Sequence, residues 1–172
     1  MTESLETREI VDERQLENAR VGYQVAASLR TSRAEELWSQ FNAFVTANSI
    51  ILTAAVIAIS SPQPTPVLSI GMPVVGLVLC ALWLMLHARG VGYVRYYLLS
   101  ARELEEQFLS DSVRTLSRGG HLAEGEKIEL LLDGEHKPRR MNFFGQILRV
   151  RTVAYLVIMV FAVMYLAILV WG

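Results

Sequence analysis

Three stretches of the chain, 41–60, 67–87 and 152–171, contain no Asp, Glu, Lys or Arg. At ~1.5 Å per residue, about 20 helical residues reach ~30 Å, the thickness of a bilayer's hydrocarbon core. Backbone N–H and C=O groups find no water in that core, so a single crossing segment has to be a helix. The expected fold class is therefore an all-α membrane protein with three transmembrane helices and additional cytoplasmic amphipathic helices. Composition fits this arrangement. Hydrophobic residues make up 52% of the chain and charged residues 19%, with a mean hydropathy of +0.34. The two classes are segregated, and the 172 residues leave little room for a second globular core.

Residues 1–40 are expected to form an N-terminal cytoplasmic segment; it is charged and lacks the apolar core that follows a basic start in a signal peptide, so a cleaved signal peptide is not expected. Leu5, Val11, Leu16, Ala19, Tyr23, Ala26 and Leu29 recur at helical spacing among Glu and Arg. Ser32 and Glu35 have capping-box spacing, which predicts a pause near Thr31–Ser32 and a restart into the membrane. The first span, 41–60, ends at Ser-Pro-Gln-Pro-Thr-Pro, and 61–66 is a tight outer turn. The second span is 67–87, with a mild kink expected at Pro73.

Residues 88–151 return to polar sequence. Val94, Tyr97, Ala101, Leu104 and Phe108 predict an amphipathic helix, joined to the second span through a hinge at Gly90 and Gly92 and ended by Gly119–Gly120. Glu103, Glu105 and Glu106 resemble a solvated face, with Arg102 as a partner for Glu106. Lys127–Leu132 is a short apolar run that could be strand or helix. The third span, 152–171, is the most apolar.

Basic residues set the orientation. Arg8, Arg14, Arg20, Arg30 and Arg33 precede the first span, eleven Lys and Arg lie in 88–151, and the 61–66 turn has none. Basic residues near span ends stay in the cytoplasm, so the N-terminus is expected inside and the C-terminus outside. Lys137, Arg139, Arg140, Arg149 and Arg151, interleaved with Phe143, Phe144, Ile147 and Leu148, suit a layer of anionic lipid headgroups. Ordinary positive-inside anchoring would use the same residues.

The first two spans carry stripes. Asn42, Thr46, Ser49, Thr53, Val56 and Ser60 step by 4, 3, 4, 3, 4, and all but Val56 are polar. Ser69, Pro73, Gly76, Cys80, Trp83 and His87 repeat that spacing, with Ser69, Gly76 and Cys80 as helix-packing candidates. Small and hydroxyl residues let helices approach closely and hydrogen-bond across the contact. The first stripe could also line a wet path, although no charged residue within a span offers a selectivity ring. Asn48 lies off the first stripe and could bond across a second contact. Three spans shield little of one another, which favours a ring of identical subunits with a cytoplasmic collar formed by helices at 3–29 and 94–116.

Enzymatic signatures are missing from the sequence. His87, His121 and His136 lack metal-ligand spacing, and His87 suits a membrane interface. Cys80, the one cysteine, suits a buried apolar position. Neither a Walker loop nor a nucleophile elbow is present. No catalytic, cofactor-binding or metal-binding residue is expected. A net charge of −1 gives no sign of a nucleic-acid partner.

The span F-N-A-F-V-T-A-N-S-I-I-L-T, a short outer turn and then L-W-L-M-L-H-A-R-G-V-G-Y-V-R-Y-Y-L-L-S-A-R-E-L-E-E-Q-F carry a resemblance of layout. Over about residues 20–110 this arrangement looks like the RipA family of small octameric proteins of the bacterial inner membrane. More loosely it is similar to SLATT-type membrane effectors. The first resemblance implies a homo-oligomeric ring with no catalytic residues to carry over. The second implies pore formation on a cytoplasmic signal. Two functions follow as expectations: a membrane assembly or scaffold, or a channel or pore-forming effector gated by its cytoplasmic helices.

Overall fold

The computed structural model describes residues 2–62, 65–108, 115–123, 125–132, 135–142 and 150–171. In chain order they form α1 (Thr2–Ser60), α2 (Pro66–Phe108), α3 (Thr115–Ala123), β1 (Ile128–Leu132), β2 (Glu135–Arg139) and α4 (Val150–Trp171). Three of these helices, α1, α2 and α4, are long and apolar enough to cross a membrane, and α4 has the highest mean hydropathy, 2.8.

Two compact units are present. The first comprises Met1–Arg33 with Tyr93–Leu148, and the second Ala34–Gly92 with Arg149–Gly172. All three apolar stretches belong to the second, the membrane unit. Its core is Cys80, Trp83, Ile158 and Tyr165, with Phe41, Phe44, Ile51, Tyr155 and Phe161 packed around it. Phe44 stacks on Trp83 at 5.6 Å between centroids and 7° between planes, and Phe41 tilts against the same indole at 5.2 Å. Aromatic pairs of this kind add to the burial of their area.

The helices are longer than expected. α1 has no break at Thr31–Ser32, and the Thr31 hydroxyl donates to the Ala27 carbonyl at 3.1 Å instead of serving an N-terminus. A back-bond to the preceding turn satisfies the side chain without ending the helix. α2 likewise runs through Gly90 and Gly92 without a hinge. At Gly90 a Cβ would come within 2.6 Å of Leu37 Cδ1, so this glycine accommodates a close packing contact. Pro66 opens α2, a position where a missing N–H costs nothing.

In the other unit α2 ends at Phe108, and Gly119–Gly120 lie inside α3 instead of terminating the helix before it. The glycine that ends α3 is Gly125, at φ 89°. Glu126 N–H bonds the His121 carbonyl and Gly125 N–H the Leu122 carbonyl, both at 3.0 Å. This 6→1 and 5→2 pair is a Schellman cap. Within the run at 127–132, Ile128–Leu132 is strand, and β1 pairs antiparallel with β2, Leu132 opposite Glu135 and Ile128 opposite Arg139. Residues 109–114 of the expected 88–118 helix, and the side chains of Leu5 and Val11, lie outside what is described.

Candidate functional site

α1 has two unlike faces within the membrane unit. Phe41, Phe44, Asn48, Ile51 and Ala55 step by 3, 4, 3, 4, and all five are buried or half-buried. The polar stripe lies elsewhere on the helix. Asn42, Thr46, Ser49, Thr53, Val56 and Ser60 are all exposed, so this stripe does not pack against the second span of its own protomer. Three of its hydroxyls are nonetheless satisfied within the helix. Thr46 donates to the Asn42 carbonyl at 3.0 Å, Ser49 to Val45 at 2.8 Å and Thr53 to Ser49 at 2.8 Å. These three donors need no water, so another protein surface can cover Thr46, Ser49 and Thr53 without stranding their hydroxyl hydrogens.

The second stripe faces inward. Pro73, Gly76, Cys80, Trp83 and His87 are buried, whereas Ser69 is half-buried and donates to the Thr65 carbonyl at 3.3 Å. A Cβ on Gly76 would collide with the Tyr165 ring, so only glycine lets α4 approach here. His87, expected at the membrane interface, is enclosed by protein. Tyr155 meets its ring edge-on at 5.3 Å and Phe41 lies at 6.2 Å. Among the described residues neither of its ring nitrogens has a hydrogen-bond partner.

Asn48 joins the three helices. Its side-chain amide donates to the Phe44 carbonyl at 2.9 Å, and its Oδ1 accepts the Cys80 thiol at 3.4 Å. The Asn48 main-chain oxygen accepts the Tyr165 hydroxyl at 2.8 Å. Cys80 is therefore buried, as its setting suggested, but it acts as a donor as well as a small apolar residue. The available signal was a lone polar residue in the apolar Phe41–Ala55 stripe. α4 also has two faces: Ala154, Ile158 and Tyr165 form a buried edge, and Val153, Leu156, Val160, Val163 and Val170 are exposed.

In the other unit the carboxylate of Glu105 is fully buried, contrary to the solvated face expected for it; Glu103 and Glu106 are exposed. Glu105 caps α3, accepting Leu116 N–H at 2.9 Å and Ser117 N–H at 2.8 Å. Arg102, expected beside Glu106, sends Nε to the Leu116 carbonyl at 3.2 Å. Its guanidinium occupies the space that a Cβ on Gly120 would need. Burial pushes the Glu105 carboxyl upward, but the Leu116 and Ser117 N–H groups and the Tyr23 hydroxyl outweigh it, leaving the group below its usual range. Tyr23 is raised by burial and by its bond to this carboxylate. An anion at a helix N-terminus is favoured by the orphan N–H groups and the helix dipole. Its source is a glutamate about ten residues upstream, so no local capping motif announces it.

Of the basic group, Lys137, Arg139, Arg140 and Arg151 are exposed. Arg140 Nε donates to the Gly125 carbonyl at 2.9 Å, and Lys137 lies 3.9 Å from Glu135. Arg149, with Phe143, Phe144, Ile147 and Leu148, lies outside the described residues. No cluster of three or more His, Cys, Asp or Glu able to hold a metal occurs among the described residues.

Residues 22–172 match the model of the octameric membrane protein family (8xMP). The match covers most of the chain and includes the third span, which the likeness over residues 20–110 had left out; the chain belongs to this family. It says nothing for the SLATT-type comparison. No curated protein and no solved structure matches.

Proposed function

We propose, from membership of the octameric membrane protein family, that this homo-oligomeric membrane protein serves as an assembly or scaffold of the bacterial inner membrane. Its N-terminus and residues 88–151 lie in the cytoplasm, its C-terminus lies outside, and the cytoplasmic helices form a collar for partners. Neighbouring copies meet along the stripe Asn42, Thr46, Ser49, Thr53 and Ser60. The basic residues Lys137, Arg139, Arg140, Arg149 and Arg151 rest on anionic headgroups. One observation carries this reading: the polar face of α1 points away from its own protomer, yet the hydroxyls of Thr46, Ser49 and Thr53 are already bonded within the helix. Such a face is better suited to contact with protein than to open lipid.

The same exposure favours a second reading, in which the stripes of several copies surround a wet axis and the protein conducts. Ser49→Leu and Thr53→Leu in proteoliposomes separate the two. On the scaffold reading each variant weakens assembly, and wild-type vesicles hold an ion gradient. If wild-type vesicles leak and the variants change the leak with assembly intact, the channel reading replaces the scaffold.

A further inference from the structure

The buried polar groups of the membrane unit divide into two sets. Asn48, Cys80 and Tyr165 bond one another across three helices. One turn further along α2, Trp83 and His87 are comparably enclosed, at 1% and 6% exposure. Among the described residues of this unit, every buried side-chain nitrogen or oxygen without a hydrogen-bond partner belongs to these two. The atoms are Nε1 of Trp83 and both ring nitrogens of His87.

Trp83 and His87 are four residues apart, so they are neighbours on one face of α2. Phe41 of α1 lies against both rings, 5.2 Å from the indole and 6.2 Å from the imidazole. On the α4 side, Tyr155 meets His87 at 5.3 Å and Phe161 meets Trp83 at 6.3 Å. Phe44 is parallel to the indole within 7° and covers its face, which leaves the in-plane N–H unserved. The two side chains are chemically complementary. An indole is a donor only, and a neutral imidazole presents one donor and one acceptor nitrogen. Buried groups of this kind nearly always have a partner, in protein or in ordered water.

We propose that Trp83 and His87 hold one water molecule between them, at the end of the second span. The water accepts the Trp83 Nε1–H and donates to the acceptor nitrogen of His87. A helical carbonyl keeps a second lone pair for its remaining hydrogen. That makes about three bonds, the usual number for a buried water. A larger ligand would have to displace one of the enclosing rings. His87 closes the uncharged 67–87 stretch and Arg89 follows it, so the site lies near the headgroup layer that water reaches. The site is internal to one protomer and does not depend on how copies of the chain meet.

The test changes each group with little change of shape. In a Trp38→Phe, Trp171→Phe background the remaining tryptophan, Trp83, is replaced biosynthetically by benzothienylalanine, whose sulfur stands where the indole carries N–H. His87→Leu removes the imidazole. Detergent-denaturation midpoints are measured for the background, each single change and the double one. If one water serves both groups, each single change strands it and lowers the midpoint. The double change then lowers it no further than the larger single loss, because groups that share a partner do not act additively. Losses that add overturn the proposal, since they mean separate sites. Midpoints that rise in both single variants overturn it too, since they mean unpartnered groups whose removal relieves the core. A wild-type electron cryomicroscopy map that resolves ordered water supplies an arm free of substitutions. A peak within hydrogen-bond distance of Trp83 Nε1 and a His87 nitrogen supports the site. An empty map there, or a direct bond from Nε1 to the imidazole, contradicts it.

Discussion

The Tyr165 hydroxyl donates to the main-chain oxygen of Asn48 at 2.8 Å, buried in the middle of the membrane unit. That oxygen belongs to the helical backbone, and the Asn48 side chain reaches the next helix through Cys80. The third span, the most apolar in the chain, is thereby tied to the first by a polar bond. Tyr165→Phe removes the hydroxyl and little else. Hydrogen bonds in membrane bundles average ~0.6 kcal/mol and reach ~1.7. A loss within that range is expected in the detergent-denaturation midpoint, with the helical content unchanged.

Gly76→Ala should cost more, because a Cβ there runs into the Tyr165 ring. Overpacking of this kind typically costs about 1–3 kcal/mol. Combining Gly76→Ala with Tyr165→Ala should recover part of the loss. Additive losses would show that the two residues do not meet as described.

α3 offers a paired comparison. Gly119 has open space where a Cβ would go, whereas Gly120 faces the Arg102 guanidinium. Gly119→Ala should stabilise α3 by up to about 1 kcal/mol through helix propensity. Gly120→Ala should lower hydrogen-exchange protection across 115–123, since Arg102 must leave the Leu116 carbonyl to make room.

Glu105 makes the first unit sensitive to acid. Its folded pKa lies below the ordinary value of 4.5, so the native state prefers the ionised form. The resulting stability is present above that ordinary value and is lost as pH falls through the lowered one. Amide protection in α3, taken relative to the intrinsic exchange rate at each pH, should therefore fall below about pH 4.5 in the wild type. Glu105→Gln should show lower protection of α3 at neutral pH and lose that pH dependence of the protection.

These sites differ in how far residue order reveals them. Span length and position depend on runs of apolar sequence, which are local, so the three spans could be located directly. The helix ends were harder. Ser32–Glu35 has the spacing of a cap, but nothing local says that Thr31 will bond back to Ala27 and let α1 continue. Gly119–Gly120 and Gly125 offer the same residue type, and only the Schellman bonds at His121 and Leu122 show which one ends the helix. Asn48 and Glu105 matter through partners on other helices. The polar stripe of α1 was plain from its spacing, yet which way it faced depended on Phe41, Phe44 and Ile51 taking the inner side.

The axial profile of the purified particle, obtained by electron cryomicroscopy, tests the central claim most directly. The account predicts eight copies in which Thr46, Ser49 and Thr53 of each α1 touch a neighbouring subunit. A particle in which those three side chains face a water-filled axis, or face lipid, would contradict it.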